Sequence, residues 1–345
     1  MKNGMRLLVS VLLFGALLTG CGGKAVDNES SAVPENTPAA TSSPVVASTP
    51  VASQVTAEWP RTYVDSMGNE VTLEKQPERV ISVFHAMYPD YLYALGVYPV
   101  GVASADTLLS QWAAYKDYTA VQAVVDIGGP TAPNLEKILE LEPDLILAAS
   151  FHTEVYEELA KIAPTVVLDY GKINEDREYG IKEFSVLFGK EAQAQEAIDK
   201  VKTSIAEGYE KLRDFRAREE SVIFISITEK SIWPYTVGQL QIIYDEEKGL
   251  GLKAPEGYSA ITDRSMAISL ETLAEYNPDH IFLMTDYGDE TARQWFNELA
   301  GNSVWSSITA VRENNIYLTD RSVFAFNSPI ATQYGISLVV ESVGQ

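Results

Sequence analysis

Positive charge is scarce in this 345-residue chain: 26 lysines and arginines face 48 acids, a formal charge of −22. A phosphate backbone needs a basic face, so nucleic acid is excluded as a partner. Histidine is nearly absent, with three residues, and cysteine is single. No internal disulfide can form, and a bare-metal site, which needs several His, Cys or carboxylates together, has little to draw on. Proline is missing between Pro164 and Pro234, so nothing there forces a helix to break. The chain lacks a Gly-x-Ser-x-Gly elbow, a phosphate-cradling glycine loop and a His-Glu-x-x-His pair, which argues against an enzyme. Its amino-terminal apolar run, Leu7 to Leu18, is too short to span a bilayer as a mature helix.

What is present suffices for real cores, since 46% of residues are hydrophobic, and the length suggests two compact units. Lys2 and Arg6 precede the apolar run, and Leu18-Thr19-Gly20-Cys21 follows it. This arrangement resembles the bacterial lipoprotein box, in which the cysteine is lipidated and becomes the first residue after cleavage. Residues 1–20 are thus expected to be a signal peptide. Residues 21–57, rich in Ser, Thr, Pro, Ala and Val, are expected to form a disordered tether that starts at lipidated Cys21.

The middle of the chain predicts a long helix from Glu191 to Arg216. Ala194, Ile198, Val201, Ile205, Tyr209, Leu212 and Phe215 recur in steps of three and four, with Gly208 weakening the interior. On either side lie two similar segments, Asn134–Leu147 and Ser269–Phe282, which align without a gap and share Leu, Glu, Pro-Asp and Ile positions. Around them short apolar strands alternate with helical patterns. These are a hairpin over Arg61–Glu74, strands near Val80, Val100, Val124, Leu145 and Thr165, and helices near Tyr88, Leu135 and Val155. The rhythm resumes with Ser221–Ile227, Ile242–Leu250, Ile281–Met284, Thr291–Leu299, Asn315–Leu318 and a final helix over Ala331–Ser342. The expected fold is therefore α/β, with two Rossmann-like lobes, each on a central parallel sheet, and a cleft between them. The expected boundaries are 58–185 for the first lobe, 186–217 for the connecting helix and 218–345 for the second lobe. One stiff connection predicts small lobe movements on binding.

The motifs resemble the substrate-binding lipoproteins of bacterial ABC importers, in the helical-backbone class that serves ferric siderophores, haem and cobalamin. The matching stretches include Val64-Asp65, Pro77 to Ser82, Tyr93 to Val97, Ile127-Gly-Gly with Asn134-Leu-Glu, and Glu142-Pro-Asp. Ile268-Ser-Leu-Glu, Asn277-Pro-Asp and Trp305 with Ala310 to Tyr317 match late in the chain, while Tyr156 to Thr165 looks most like the siderophore branch. The resemblance spans the body from Arg61 onward. It implies an extracytoplasmic, monomeric binding protein without enzymatic activity or cofactor, anchored to the membrane through the lipid on Cys21. It also implies that Glu136 and Glu271, the glutamates of the two repeats, dock into arginines of an ABC permease dimer. Each residue alone favours a helix-N-terminal acid stabilised by the macrodipole; their equivalence in the two repeats, with the family pattern, favours docking.

The implied ligand is an Fe(III)–siderophore chelate, with haem, cobalamin or a bare metal as alternatives. The expected ligand-binding side chains in the first lobe are His85, Met87, Tyr88, Trp112, Tyr115, Phe151 and His152. In the second they are Trp233, Tyr235, Gln239, Gln241, Arg264, Tyr287, Phe324 and Phe326. Broad aromatic walls suit a bulky chelate that already satisfies its metal, although each aromatic is equally a candidate for plain core packing. Arg264 is the one good basic candidate, and glutamines stand where an arginine would hold an anionic siderophore. A cleft this poor in cations favours a neutral or cationic ferric hydroxamate. His85 and His152 remain candidates for direct metal contact.

Overall fold

The computed structural model describes residues 58–344 apart from 86, 110–111, 229–230, 264, 286–289, 321 and 325–326, and only the backbone of 108, 285 and 290–293. The expected signal peptide, Cys21 and the tether lie outside the described residues.

An antiparallel hairpin of β1 (Arg61–Val64) and β2 (Glu70–Leu73) opens the body. Asp65 closes its turn by accepting from the Met67 and Asn69 N–H groups at 2.9 and 2.8 Å. Next come β3 (Val80–Ser82), β4 (Gly101–Val102), β5 (Val125–Asp126), and the small pair β6 (Gly128–Gly129) and β7 (Ala132–Pro133). β8 (Leu145–Ala149) and β9 (Thr165–Leu168) complete the first lobe. Its sheet is wholly parallel in the order β5-β4-β3-β8-β9. Every residue of β3, β8 and β9 is buried, as expected of parallel strands covered on both faces. The second sheet runs β11 (Ser231–Pro234), β10 (Val222–Thr228), β12 (His280–Thr285) and β13 (Ile316–Asp320). Here β11 pairs antiparallel on the edge, an element the sequence reading passed over. The Ile242–Leu250 segment is a short helix, Gln241–Tyr244, followed by a turn on which Asp245 accepts from the Glu247 and Lys248 N–H groups.

The repeated segments fold alike. Each begins with a capped helix, Leu135–Glu140 behind Asn134 and Leu270–Tyr276 behind Ser269. Each turns through a left-handed residue, Glu142 at φ 45° and Asn277 at φ 42°. The aspartate after the proline then holds the entry to the neighbouring strand. Asp144 accepts from the Glu78 and Arg79 N–H groups ahead of β3, and Asp279 accepts from the Ser221 N–H and hydroxyl ahead of β10.

The connecting helix runs from Glu191 to Lys211, roughly 31 Å, and not to Arg216. Leu212, at φ −92° and ψ 9°, interrupts it, and a separate turn covers Arg213–Arg216. Leu212 and Phe215 are buried in the second core, so the chain bends to bring both inward before β10. Gly208, which weakens an isolated helix, is the point where another helix crosses. A Cβ there would lie 2.7 Å from Ile336 and 2.9 Å from Leu250.

That other helix, Pro329–Val343, gives the lobes a second connection. Ile330 belongs to the first core, while Ile336, Val339 and Val343 belong to the second. Its N-terminus has no cap of its own and is capped across the lobes by buried Asp90. The Ile330 N–H donates to Asp90 Oδ1 at 2.8 Å; the Ala331 N–H and the Ser328 hydroxyl donate to Oδ2 at 2.9 and 2.8 Å. The Tyr115 hydroxyl adds a fourth bond at 2.9 Å. Burial raises the Asp90 pKa even though these four bonds pull it down. A negative group at a helix N-terminus is favoured by the dipole, and here one carboxylate ties three segments together. Asn327 strengthens the crossing: its carbonyl accepts from the Tyr91 hydroxyl at 2.9 Å and its amide donates to the Asn174 carbonyl at 3.2 Å.

Candidate functional site

Ligands of parallel α/β sheets bind beyond the carboxyl ends of the strands. In the first lobe those ends carry a ring cluster. Phe84 and His85 follow β3, Phe151 and His152 follow β8, and Tyr170 follows β9. Phe84 is the hub, with its centroid 5.3 Å from Phe151, 5.4 Å from Tyr170, 5.7 Å from His85 and 6.4 Å from His152, all edge-to-face. Phe151 lies 4.3 Å from His152 and is 49% exposed, which leaves a large apolar ring facing outward. Phe84 and Tyr170 were missed in the sequence. Their signal was position alone, each standing within two residues of the end of a buried strand.

Both histidines are held neutral. His85 Nδ1 is buried with no hydrogen-bond partner, and burial lowers its pKa. His152 is 4% exposed, and its pKa is lowered to about 4 by burial and then by neighbouring His85, against opposing backbone hydrogen bonds. Its Nδ1 accepts from the Ala149 N–H at 2.9 Å, so the neutral ring carries its proton on Nε2. Phe151 is the exposed ring of this patch, half-buried His85 and Tyr170 stand beside it, and Phe84 and His152 lie beneath.

The other expected first-lobe residues lie deeper. Met87, Tyr88 and Tyr115 are at most 1% exposed and stand in the core; the Tyr88 hydroxyl reaches the Leu168 carbonyl at 3.3 Å. Trp112, 6% exposed, packs 5.9 Å from Tyr115. The next residue, Ala113, donates its N–H to Asp320 Oδ2 at the end of β13, a third contact between the lobes.

In the second lobe Trp233 stands on β11 opposite Ser226, half-buried, with its Nε1 sealed and unpartnered. Tyr235 is buried, and its carbonyl accepts from the Tyr258 hydroxyl at 2.6 Å. Gln239 Oε1 accepts from the Thr236 N–H at 2.9 Å, which shapes a turn, and exposed Gln241 begins the next helix. Phe324, at φ 60°, packs edge-to-face on Phe224 with ring centroids 5.6 Å apart, and a Cβ at Gly335 would meet its ring at 2.4 Å. Arg264, Tyr287 and Phe326 lie outside the described residues. Among the described residues no group of three His, Cys, Asp or Glu is placed to hold a metal ion.

Glu136 and Glu271 are both exposed, at the same place in the first turn of the two repeated helices. Both helices are capped by an upstream side chain, so neither glutamate is needed as a cap.

Known proteins agree with this architecture. The model of the periplasmic binding protein family matches residues 81–323. The iron(3+)-hydroxamate-binding protein YxeB of Bacillus subtilis is 27% identical over 294 residues, covering 81% of this chain and 84% of that protein. The Fe(3+)-citrate-binding protein YfmC of the same organism is 29% identical over 269 residues, covering 74% and 77%. A solved FhuD-fold periplasmic binding protein from Bacillus subtilis superposes with a TM-score of 0.67 at 26% identity, covering 82% of this chain and 100% of its own. The fold of the petrobactin-binding protein YclQ is also shared, at a TM-score of 0.66, 20% identity and coverage of 84% and 100%. With the family model matching most of the body, and with the two-lobed α/β fold in place, the chain belongs to the periplasmic binding protein family.

Proposed function

We propose that the protein captures a ferric siderophore outside the cytoplasm and delivers it to an ABC permease. The observation that carries this reading is the ring cluster of Phe84, Phe151 and Tyr170 with two neutral histidines at the carboxyl ends of β3, β8 and β9. It is an apolar, uncharged platform suited to the organic shell of a chelate. A ferric trihydroxamate of low net charge fits it better than a polyanionic catecholate, because the platform supplies no cation and the whole chain is acidic. Relatives named for a hydroxamate, YxeB and FhuD, stand beside one named for citrate, so the chelate class rests on the platform's chemistry.

Glu136 and Glu271 form the permease contact in this reading. Two equivalent carboxylates on related lobes offer a pseudo-two-fold pair to a symmetric transporter, where charge guides encounter and register. The lipid on Cys21 would hold the body at the outer face of the membrane, in keeping with relatives named as lipoproteins. The test is tryptophan-fluorescence quenching with ferric hydroxamates, ferric catecholates, ferric citrate, haem, cobalamin and zinc. Saturable quenching by a trihydroxamate at the lowest concentration supports the reading. Tightest binding by a catecholate or citrate complex overturns the hydroxamate preference, and silence from every iron chelate overturns the function.

A further inference from the structure

Away from the strand ends, a cavity of about 620 Å³ lies along the connecting helix. Its walls come from both lobes: Arg177 and Ile181 from the preceding helix, Ile198, Val201 and Ile205 from the connecting helix, and residues 246–249 of the second lobe. That volume is in the range of small-molecule sites. The aliphatic side chains give it an apolar floor, and Lys202 on its wall is already engaged by Glu178 at 2.7 Å.

Arg177 is not so engaged. One guanidinium nitrogen donates to Asn327 Oδ1 at 2.5 Å, while Nε is buried with no hydrogen-bond partner. Among the described residues no carboxylate forms an ion pair with it. Burial lowers its pKa, while the charges of nearby Asp90, Glu178 and Asp176 act in the opposite direction without a direct ion pair. A half-buried guanidinium with an unmet N–H donor is unfavourable, and a carboxylate is the group that meets a guanidinium with two parallel bonds. Glu210, Glu246 and Glu247 on the remaining wall disfavour a second acid on the same molecule.

We propose that this cavity is a second ligand site, for an aliphatic monocarboxylate whose head pairs with Arg177 and whose chain lies on Ile198, Val201 and Ile205. Since Arg177 also holds Asn327 in the segment that returns to Asp90, an occupied cavity fastens the two lobes from a position remote from the ring cluster.

Isoleucine-methyl spectra of the chelate-free protein, titrated separately with octanoate, 1-octanol and acetate, test the proposal. Octanoate should shift the Ile181, Ile198 and Ile205 methyl signals saturably. Octanol, lacking the charge, and acetate, lacking the chain, should each bind at least about tenfold more weakly. Arg177→Gln should weaken octanoate at least about tenfold while leaving octanol unchanged. Ile205→Glu, at a half-exposed position, should remove binding of both. An absent octanoate response, or equal octanoate affinity in the wild type and both variants, would overturn the site. No iron chelate enters the titration, so its outcome is independent of the transport reading.

Discussion

Asp144 in the first lobe and Asp279 in the second hold the same strand entry, while the ring groups of the two lobes differ in place: that around Phe84 sits at the carboxyl ends of β3, β8 and β9, and that around Phe224, with Tyr244, Phe282 and Phe324, stands in the core. The repeat is kept in the helix caps, the left-handed turn residues, the Pro-Asp pairs and the exposed glutamates. Among the described residues it does not extend to the ring groups: the first lobe carries neutral imidazoles beyond its strands, and the second carries Trp233 on an antiparallel edge strand. A symmetric partner would select for the first set and an asymmetric ligand for the second. The difference therefore separates the frame, with the two glutamates proposed for docking, from the surface proposed to bind the chelate.

The sharpest way to break this comparison is at the two glutamates. Glu136→Ala together with Glu271→Ala should reduce chelate uptake in cells at least about a hundredfold while equilibrium chelate binding is unchanged. Each single variant should give a similar partial loss, and a double variant that transports normally would remove the assignment. Next in size is the tie between the lobes. Asp90→Ala strips the cap from the C-terminal helix and leaves the Ile330 and Ala331 N–H groups unmet, costing on the order of 3 kcal/mol in denaturant unfolding. The corresponding loss at Asp144→Ala or Asp279→Ala should be smaller and equal in the two lobes.

The ring cluster gives the first lobe a pH response. An unfolded His152 takes up a proton near 6.5, but the folded ring does so only at about 4. Acid therefore favours the unfolded chain, and stability should fall as pH drops from 6.5 towards 4, at up to about 1.4 kcal/mol per pH unit for this one group. His152→Gln should flatten the slope in that window; an unchanged slope would place the response elsewhere. The smallest effect belongs to the crossing of helices. Gly208→Ala raises intrinsic helix propensity yet should destabilise by about 1–3 kcal/mol, because the added methyl collides with Ile336 and Leu250. A stabilised variant would mean that the crossing yields.

Much of the frame was legible because it rests on local chemistry. Buried parallel strands read as unbroken apolar runs, and Asn134, Ser269, Glu142 and Asn277 sit at cap or turn positions set by short-range geometry. The connecting helix was legible over most of its length but not at its end, since what stops it is the burial of Leu212 and Phe215 in a core built by later residues. The role of Asp90 had no local signal at all: three of its four partners lie some 240 residues away in the chain. The candidate site was read in part. His85, Phe151 and His152 follow strands and cluster, whereas Met87, Tyr88 and Tyr115 follow the same pattern and turn inward. Sequence spacing does not record which way a side chain points once the strand has ended.

The central claim is that the chelate rests on the ring cluster of the first lobe. Titrating a ferric trihydroxamate into wild type and Phe151→Ala tests it most directly, because that ring is 49% exposed and its removal should leave the fold intact. We predict a loss of affinity of at least about tenfold with an unchanged melting temperature. Equal affinity in the two proteins would contradict the claim.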